Sequence, residues 1–424
     1  MAYKQVVLCI CRGSEVVVMG LHTLWNCSLF FSAKAPPHFL TLVILTAISV
    51  LSLNMFLPSL SNISHEFETA YWIVSLSVSG YLGISAVLQI IMGPLSDRWG
   101  RRPILLAGMA IFSAASVGCW IAPNIGVFLI CRMLQGAVIA GMALSRAVIR
   151  DMAPPHEAAR MMGYVAMVMA LAPMLGPVLG GVIDQAFGWR MTFLVFALLG
   201  VAVFVVAWID LGETNVRPSE TFFKQFKTYP ELFGSGLFWG HVLCQSFSVG
   251  AFYVFLAGAP LVGEVIFGLT PTQVGIGMGT ITGGFVVGNY FTGRFVLRYS
   301  LGTMMVAGRT ITVLGVGAGL LFISLSYMHP VILFGSVIFI GVGNGLTLPA
   351  SNSGAMSVRP DLAGSASGLS GAVVVAVGSF LTFLTGAVLT QATGAFVLMF
   401  ILMVVSVLGL ISALYVRAVE PLVR

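Results

Sequence analysis

Charged residues are scarce in this sequence, and their scarcity excludes most soluble folds. Only 8% of the 424 residues are charged, 58% are hydrophobic, and the mean hydropathy is +1.02. A water-soluble domain does not hide so much apolar surface. The apolar stretches run for about 20 residues, the length of a helix that crosses a bilayer. Because lipid offers the backbone no hydrogen-bond partners, we predict an all-α polytopic membrane protein.

The residue patterns of catalytic and metal sites are also missing. The six cysteines are scattered without zinc-type spacing, and we find no nucleophile–base pair that indicates an enzyme. Gly277 and Gly279 lie inside an apolar helix and not in a phosphate-binding loop. The net charge of +6 is spread over short loops, which does not indicate a nucleic-acid partner. We therefore expect that the protein is not an enzyme and that it binds no cofactor, metal or nucleic acid.

Twelve apolar spans are predicted, in two six-helix halves. A long polar segment, 212–233, separates residues 39–211 from residues 234–416 and is predicted to be a cytoplasmic linker. Residues 1–38 are predicted to be a disordered or interfacial cytoplasmic leader, and 417–424 a cytoplasmic tail. The predicted spans are 39–60, 71–93, 102–122, 125–147, 160–183, 190–211, 234–259, 270–292, 302–325, 330–352, 363–388 and 393–416.

The distribution of basic residues predicts the orientation. With both termini in the cytoplasm, Arg190 is the one basic residue in an outer loop, as the positive-inside rule requires. The residues then placed on the inner side are Lys4, Arg12, Lys34, Arg98, Arg101, Arg102, Arg150, Arg160, Arg217, Lys224, Lys227, Arg294, Arg298, Arg359, Arg417 and Arg424. We expect the protein to lie in the plasma membrane, which is the inner membrane of a bacterium.

A dense charged turn follows the second span, and a degenerate copy of it follows the eighth. The turn resembles the loop between the second and third helices of major facilitator transporters, through Gly93, Asp97, Arg98, Gly100, Arg101 and Arg102. The copy retains Gly293 and Arg298 but has Leu297 in place of Asp97. The resemblance implies two pseudo-symmetric halves, a gating role for this turn, and a substrate site between the halves near the middle of the membrane.

The fourth span contains a charged residue in an apolar setting. Arg132, Gln135 and Gly136 form an Arg-x-x-Gln-Gly pattern that resembles the fourth-helix motif of proton-coupled members. An arginine in a membrane helix faces the protein interior or a water-filled cavity. One interpretation is a cavity residue that binds substrate or couples to protons. The alternative is an arginine that snorkels or joins helices through backbone carbonyls.

The fifth span carries prolines and glycines at helical spacing. Its residues Pro173, Gly176, Pro177, Gly180 and Gly181 resemble the Gly-Pro-x-x-Gly-Gly motif of the antiporter branch. The prolines favour a bend and the glycines allow close helix approach. Ordinary small-residue packing is the simpler alternative.

The first span resembles that of the Bcr/CflA group of drug/proton antiporters but departs from it at Asn54. Leu53 to Leu60 read like the group's first helix, in which an aspartate normally stands where this chain has Asn54. All acidic residues are predicted to lie in loops, at span ends or in the leader. An amide does not carry protons, so coupling would need another group. His241 in the seventh span and Asp97 are the candidates.

Positive charge without a matching acid predicts the substrate class. Arg132 lies within a span, and Arg309 lies about two turns into its helix, where it is either embedded or snorkels. Such a cavity favours neutral or anionic compounds over cations. The residues predicted to bind substrate or to couple its movement are Asn54, Arg132, Gln135, His241, Gln245, Tyr253 and Asn344.

The resemblance implies a secondary active transporter that works by alternating access. We expect multidrug or amphenicol-type efflux of small neutral or anionic amphiphiles, coupled to protons, by a monomer. A proton-independent facilitator or exporter of a small anionic metabolite is the alternative.

Overall fold

The computed structural model describes residues 37–215, 229–296, 298–359, 362–390 and 394–423, and its regular structure is helical throughout these ranges. The α-helices in chain order are α1 Phe39–Asn54, α2 Leu60–Glu66, α3 Tyr71–Trp99, α4 Arg101–Trp120, α5 Ile125–Gln135, α6 Ile139–Met152, α7 Pro155–Phe187, α8 Trp189–Asp210, α9 Tyr229–Phe233, α10 Gly236–Pro260, α11 Pro271–Phe295, α12 Leu301–Ser324, α13 Pro330–Ser357, α14 Ala363–Val388 and α15 Gly394–Val423.

Eleven helical spans in the described part of the chain are long and apolar enough to cross a membrane. The predicted count of twelve is therefore not fully met. The exception among the predicted spans is 270–292, which forms the 25-residue helix α11. This helix is rich in glycine and threonine, which lowers its hydropathy. Gly275, Gly277, Gly284 and Gly288 lie close against neighbouring helices, so these positions favour helix packing.

Two spans are interrupted midway by short 3-10 turns. The first span breaks after Asn54 and resumes through a 3-10 turn at Leu57–Ser59. Pro58 explains this break, because it lacks the N–H that a continuing helix would need. The fourth span breaks in the same way at Gly136–Val138, between α5 and α6. Both breaks free backbone groups inside the first half.

The seventh span is longer than predicted, and it contains an acid that was expected in an outer loop. Helix α10 continues into a π-helical turn, Leu261–Ile266, which includes Glu264. Asp184 was expected in or beside an outer loop and lies in the last turn of α7, next to the turn at Gly188. Its side chain is buried and accepts a hydrogen bond from Asn62 at 2.8 Å. Both carboxylates therefore lie within helices, close to their ends.

The bundle has two ends that differ in their connections. The charged end carries the turn at Gly100 and the turn between α6 and α7, whereas the opposite end carries the turns at Glu68 and Gly188. Three hydrogen bonds join the two halves toward the opposite end. Tyr71 donates to the Ala257 carbonyl at 2.6 Å, Thr272 to Gln185 at 2.7 Å, and Ser379 to the Ser79 carbonyl at 2.7 Å.

The flanking segments are described only in part. His38 caps α1 by accepting from the Leu40 N–H at 3.2 Å, and its own N–H donates to Asp210 at 2.9 Å. The last helix runs to Val423, beyond the predicted end at 416. Most of the predicted leader (1–36), the middle of the linker (216–228, with Arg217, Lys224 and Lys227) and Arg424 lie outside the described residues.

Candidate functional site

A cavity of about 270 Å³ lies between the two halves. One wall is α7 of the first half, and the others are α10, α11 and α13 of the second half. Its lining is mostly apolar, with a few polar side chains. The lining residues are Met169, Pro173, Val249, Phe252, Tyr253, Ile281, Thr282, Phe285, Gly341, Asn344 and Leu348.

Each helix presents one face to this cavity. The lining residues of α10 fall at positions 249, 252 and 253, and those of α11 at 281, 282 and 285. Side chains three and four positions apart share a helical face. Two predicted site residues, Tyr253 and Asn344, are thereby brought together with Pro173 of the predicted antiporter motif.

Asn344 is held in one orientation by its neighbours. Its Oδ1 accepts a hydrogen bond from Arg309 Nη2 at 2.6 Å, and its Nδ2 donates to the Ser248 carbonyl at 3.0 Å. Arg309 also donates from Nε to Thr347 Oγ1 at 3.0 Å. A guanidinium only donates, so a flipped amide would lose both of its bonds. The amide is therefore fixed in direction.

Arg309 is an interior residue, which corrects the option that its side chain snorkels. Its exposed fraction is 0%, and its partners lie on α13. No ion pair joins it to any residue that the structure describes. The cavity therefore has an unneutralised positive charge behind Asn344.

Arg132 forms a second polar cluster, inside the first half. Its Nη1 donates to Gln135 Oε1 at 2.5 Å and to the Ser52 carbonyl at 3.3 Å. Gln135 donates in turn to Ser116 at 2.6 Å. The Ser52 carbonyl belongs to the last turn of α1, where carbonyls lack helical partners. Arg132 thus joins helices beside the break in the first span.

Aromatic rings enclose the Arg132 guanidinium. Its central carbon lies 4.0 Å from the centroid of the Phe56 ring and 4.7 Å from that of Tyr81. The side chain has an exposed fraction of 0%. Cation–π contacts of this kind compensate in part for lost hydration. Arg132 and Gln135 are not among the residues that line the cavity, so their geometry matches the helix-joining alternative.

Asn54 lies against the predicted antiporter motif. Its Nδ2 donates to the Val50 carbonyl at 2.8 Å, and its exposed fraction is 1%. A Cβ on Gly176 of α7 would lie 3.2 Å from the Asn54 Cβ, and one on Gly180 would collide with the Met55 carbonyl. These two glycines therefore let α7 pack tightly on the break in the first span.

The same helix meets the second half backbone to backbone. A Cβ on Gly181 would collide with the Pro271 carbonyl, and one on Gly275 with the Pro177 carbonyl. Helix α7 continues through both internal prolines as a single 33-residue helix. The motif residues thus serve two contacts, one within the first half and one between the halves.

His241 and Gln245 lie apart from the cavity lining, nearer the charged end of α10. His241 is 2% exposed, and its ring lies against Gly354 of α13. Its Nδ1 has no hydrogen-bond partner among the described residues. Gln245 accepts from Ser370 of α14 at 2.9 Å. Neither side chain lies in the Arg132 cluster.

The charged turn is fixed by Asp97 of the motif and by two acids that sequence patterns did not single out, Asp151 and Glu213. Arg101 pairs with Asp97 at 2.5 Å and with Asp151 at 3.2 Å. Glu213 accepts from the Arg101 N–H at 2.9 Å and from the Arg102 N–H at 3.2 Å. Gly100 has a φ of 96°, a left-handed conformation that favours glycine. The turn is thereby tied to the ends of α6 and α8.

Comparison with known proteins identifies the family. The family model described as Major Facilitator Superfamily matches residues 42–383. The chain belongs to the Major Facilitator Superfamily. Solved structures of transporters share the fold: a point mutant of the nucleoside transporter NupG gives a TM-score of 0.71 at 12% identity, covering 90% of this chain and 99% of that one. A bacterial homolog of the human lysosomal transporter Spinster gives 0.68 at 14%, covering 89% and 95%.

Relatives of this major facilitator protein include resistance proteins, which confirms the resemblance to the Bcr/CflA group. The uncharacterized MFS-type transporter YdgK of Bacillus subtilis (strain 168) is 29% identical, covering 86% of this chain and 92% of its own. The bicyclomycin resistance protein homolog of Haemophilus influenzae (strain ATCC 51907 / DSM 11121 / KW20 / Rd) is 26% identical, covering 81% and 87%. The chloramphenicol resistance protein of Pseudomonas aeruginosa is 30% identical over 58% of each chain.

Proposed function

We propose that this multi-pass membrane transporter exports small neutral or anionic amphiphiles by alternating access. The observation that carries the proposal is the cavity between the halves, with aromatic walls and a few polar groups. Sites of this composition suit small amphiphilic ligands. The buried charge of Arg309 behind Asn344 favours neutral or anionic compounds over cations. The name of the chloramphenicol resistance protein points to amphenicol-type drugs as the first compounds to test.

The proposed orientation has both termini in the cytoplasm of a bacterial cell, with the charged end facing inward. The positive-inside bias supports this orientation, because Arg190 is the exception among the basic residues outside the spans. In this orientation, the hydrogen bonds between the halves close the outer side. The cavity would then load from the cytoplasm, as an exporter requires. One copy of the chain is proposed to form the transport unit.

Proton coupling is part of the proposal, although Asn54 departs from the related antiporters. His241 and Asp97 remain candidate proton carriers. Glu264 joins them because it lies within the seventh span and its buried Oε1 has no hydrogen-bond partner among the described residues. Collapse of the pH gradient in energised cells should then raise chloramphenicol accumulation. Accumulation that does not depend on the gradient would support the second candidate, a proton-independent facilitator or exporter of a small anionic metabolite. The amide at position 54 favours this candidate.

A susceptibility panel in an efflux-deficient bacterium tests the export proposal. Chloramphenicol and other neutral drugs should become less toxic in cells that carry the protein, whereas ethidium should not. Cells that carry Arg132→Ala should regain sensitivity if the Arg132 cluster is needed for transport. High-level resistance to ethidium would contradict the substrate class, and the absence of any resistance with well-inserted protein would contradict drug export.

A further inference from the structure

The cavity lining includes a buried hydroxyl that nothing in the described part of the protein satisfies. Thr282 lines the cavity, is only 4% exposed, and its Oγ1 has no hydrogen-bond partner among the described residues. A buried hydroxyl without a partner is costly. Thr280, two residues away on the same helix, shows the contrast: its Oγ1 donates to the Gly277 carbonyl at 2.7 Å and the Phe334 carbonyl at 3.1 Å.

Asn344, which lines the same cavity, has a donor to spare. An amide nitrogen carries two N–H groups, and the Ser248 carbonyl accepts from this nitrogen at 3.0 Å. The amide oxygen is occupied by Arg309. Asn344 can therefore offer a ligand one N–H donor. The hydrogen bond from Arg309 to its oxygen prevents the amide from flipping, which would present the oxygen to the ligand instead.

We propose that Thr282, Asn344 and Arg309 form a subsite that selects a hydrogen-bond acceptor on the substrate. Thr282 and Asn344 donate to a carbonyl, nitro, sulfonyl or carboxylate oxygen carried by an apolar aromatic body. Arg309 is a positioning residue, which acts through the direction of the Asn344 amide. Phe252 and Phe285 of the same lining contact the aromatic body. This inference rests on the proposed function, because it takes the cavity as the place where the exported compound binds.

Charge strengthens the selection against cations. Arg309 is fully buried and has no acidic partner in the described ranges. Its field reaches the cavity through Asn344, and a cationic group placed there would meet like charge at low dielectric. A neutral acceptor gains from the hydrogen bonds, whereas an anionic acceptor gains from both the hydrogen bonds and the field.

Direct binding to purified protein in lipid nanodiscs, measured by calorimetry, tests the subsite. Chloramphenicol is the acceptor-bearing probe, with nitro and amide oxygens, and tetraphenylphosphonium is the aromatic cation without an acceptor. Wild type should bind chloramphenicol more tightly. Thr282→Val should weaken chloramphenicol binding by about five- to tenfold, the value of one hydrogen bond. Thr282→Ser should restore it, and the matched control Thr280→Val should bind like wild type.

The positioning role of Arg309 has its own test. Arg309→Met should weaken chloramphenicol binding and reduce the preference over tetraphenylphosphonium. Combined with Asn344→Leu, it should weaken chloramphenicol binding no further than Asn344→Leu does alone, because Arg309 acts through that amide. Additive losses would contradict the positioning role.

The outcomes separate this inference from export itself. Chloramphenicol binding that is equal in wild type and Thr282→Val overturns the subsite, as does a wild-type preference for the cation or binding of neither probe. The susceptibility panel decides export independently of these affinities. A protein that binds with the predicted selectivity but confers no resistance would contradict export and retain the subsite.

Discussion

At the residue scale, Arg132 carries the most specific geometry of the first half. Its guanidinium uses one nitrogen for Gln135 and Ser52 while it stacks on Phe56 and Tyr81. Lysine keeps the charge but has neither a planar face nor a forked set of donors. The role of Arg132 therefore depends on shape as much as on charge.

Arg132→Lys should accordingly lose transport almost as completely as Arg132→Ala. We expect chloramphenicol efflux to fall at least about tenfold in both variants, equivalent to about 1.4 kcal/mol. Efflux from preloaded cells, normalised to protein in the membrane, measures it. Arg160→Lys on the exposed face of α7 is the control and should transport normally. Full activity in Arg132→Lys would show that charge alone suffices.

Single residues also show how much of the structure could be predicted from the sequence. The apolar runs allowed the spans to be predicted, because hydropathy acts locally, whereas the break at Pro58 in the first span was not predicted. The surroundings of Arg309 were not predictable, since position along a helix gives depth but not which face meets a partner. Thr282 and Glu213 were not recognisable in the sequence, because the role of a hydroxyl or carboxylate depends on which helices pack beside it in the folded protein.

At the element scale, the contact between α7 and α11 depends on glycines, which have no side chain to separate the two helices. Gly181 and Gly275 place backbone against backbone across the two halves. A methyl group at either position would force the helices apart, and overpacking of this kind costs about 1–3 kcal/mol.

Gly275→Ala should therefore weaken closure at the opposite end and slow transport. Its effect is measured as the yield of cross-linking between cysteines placed at Gln185 and Thr272 by a short bifunctional thiol reagent, which should fall. Gly283→Ala on the same helix is the matched control, because its Cβ would meet nothing within 4 Å. Equal yields in the two variants would refute close packing at this contact.

The charged turn is a second element with a testable role. Asp97 pairs with Arg101, which also pairs with Asp151 at the end of α6. Asp97→Asn should slow the conformational cycle more than it weakens substrate binding, since the turn lies at the charged end of α3, which contributes no residue to the cavity lining. Parallel measurement of efflux rate and chloramphenicol affinity checks this. A loss of affinity with an unchanged maximal rate would exclude a gating role.

At the scale of the whole molecule, alternating access requires the contacts between the halves to break. Thr272 and Gln185 form one such contact at the opposite end, at 2.7 Å. A short covalent link between cysteines at these positions should stop transport by holding that end closed. Chloramphenicol should still bind, because the cavity lining is untouched. Reduction of a cleavable linker should restore transport, and transport by the linked protein would contradict alternating access.

The fold as a whole was predictable because lipid leaves few options for an apolar chain, and the repeated charged turns indicated two halves. The cavity was not predictable, because its lining comes from four helices whose contributions are spread from Met169 to Leu348. Tyr253 and Asn344 were predicted to be site residues from polarity alone, whereas Arg132 was placed in the site by its charge and lies in a separate cluster.

Export through the cavity is tested most directly by the accumulation of radiolabelled chloramphenicol in an efflux-deficient bacterium that expresses wild type or Asn344→Leu. We expect low accumulation with wild type. At equal membrane abundance, Asn344→Leu should give accumulation close to that of cells without the protein. Equal accumulation in all three strains, with wild type inserted and folded, would contradict export through this cavity.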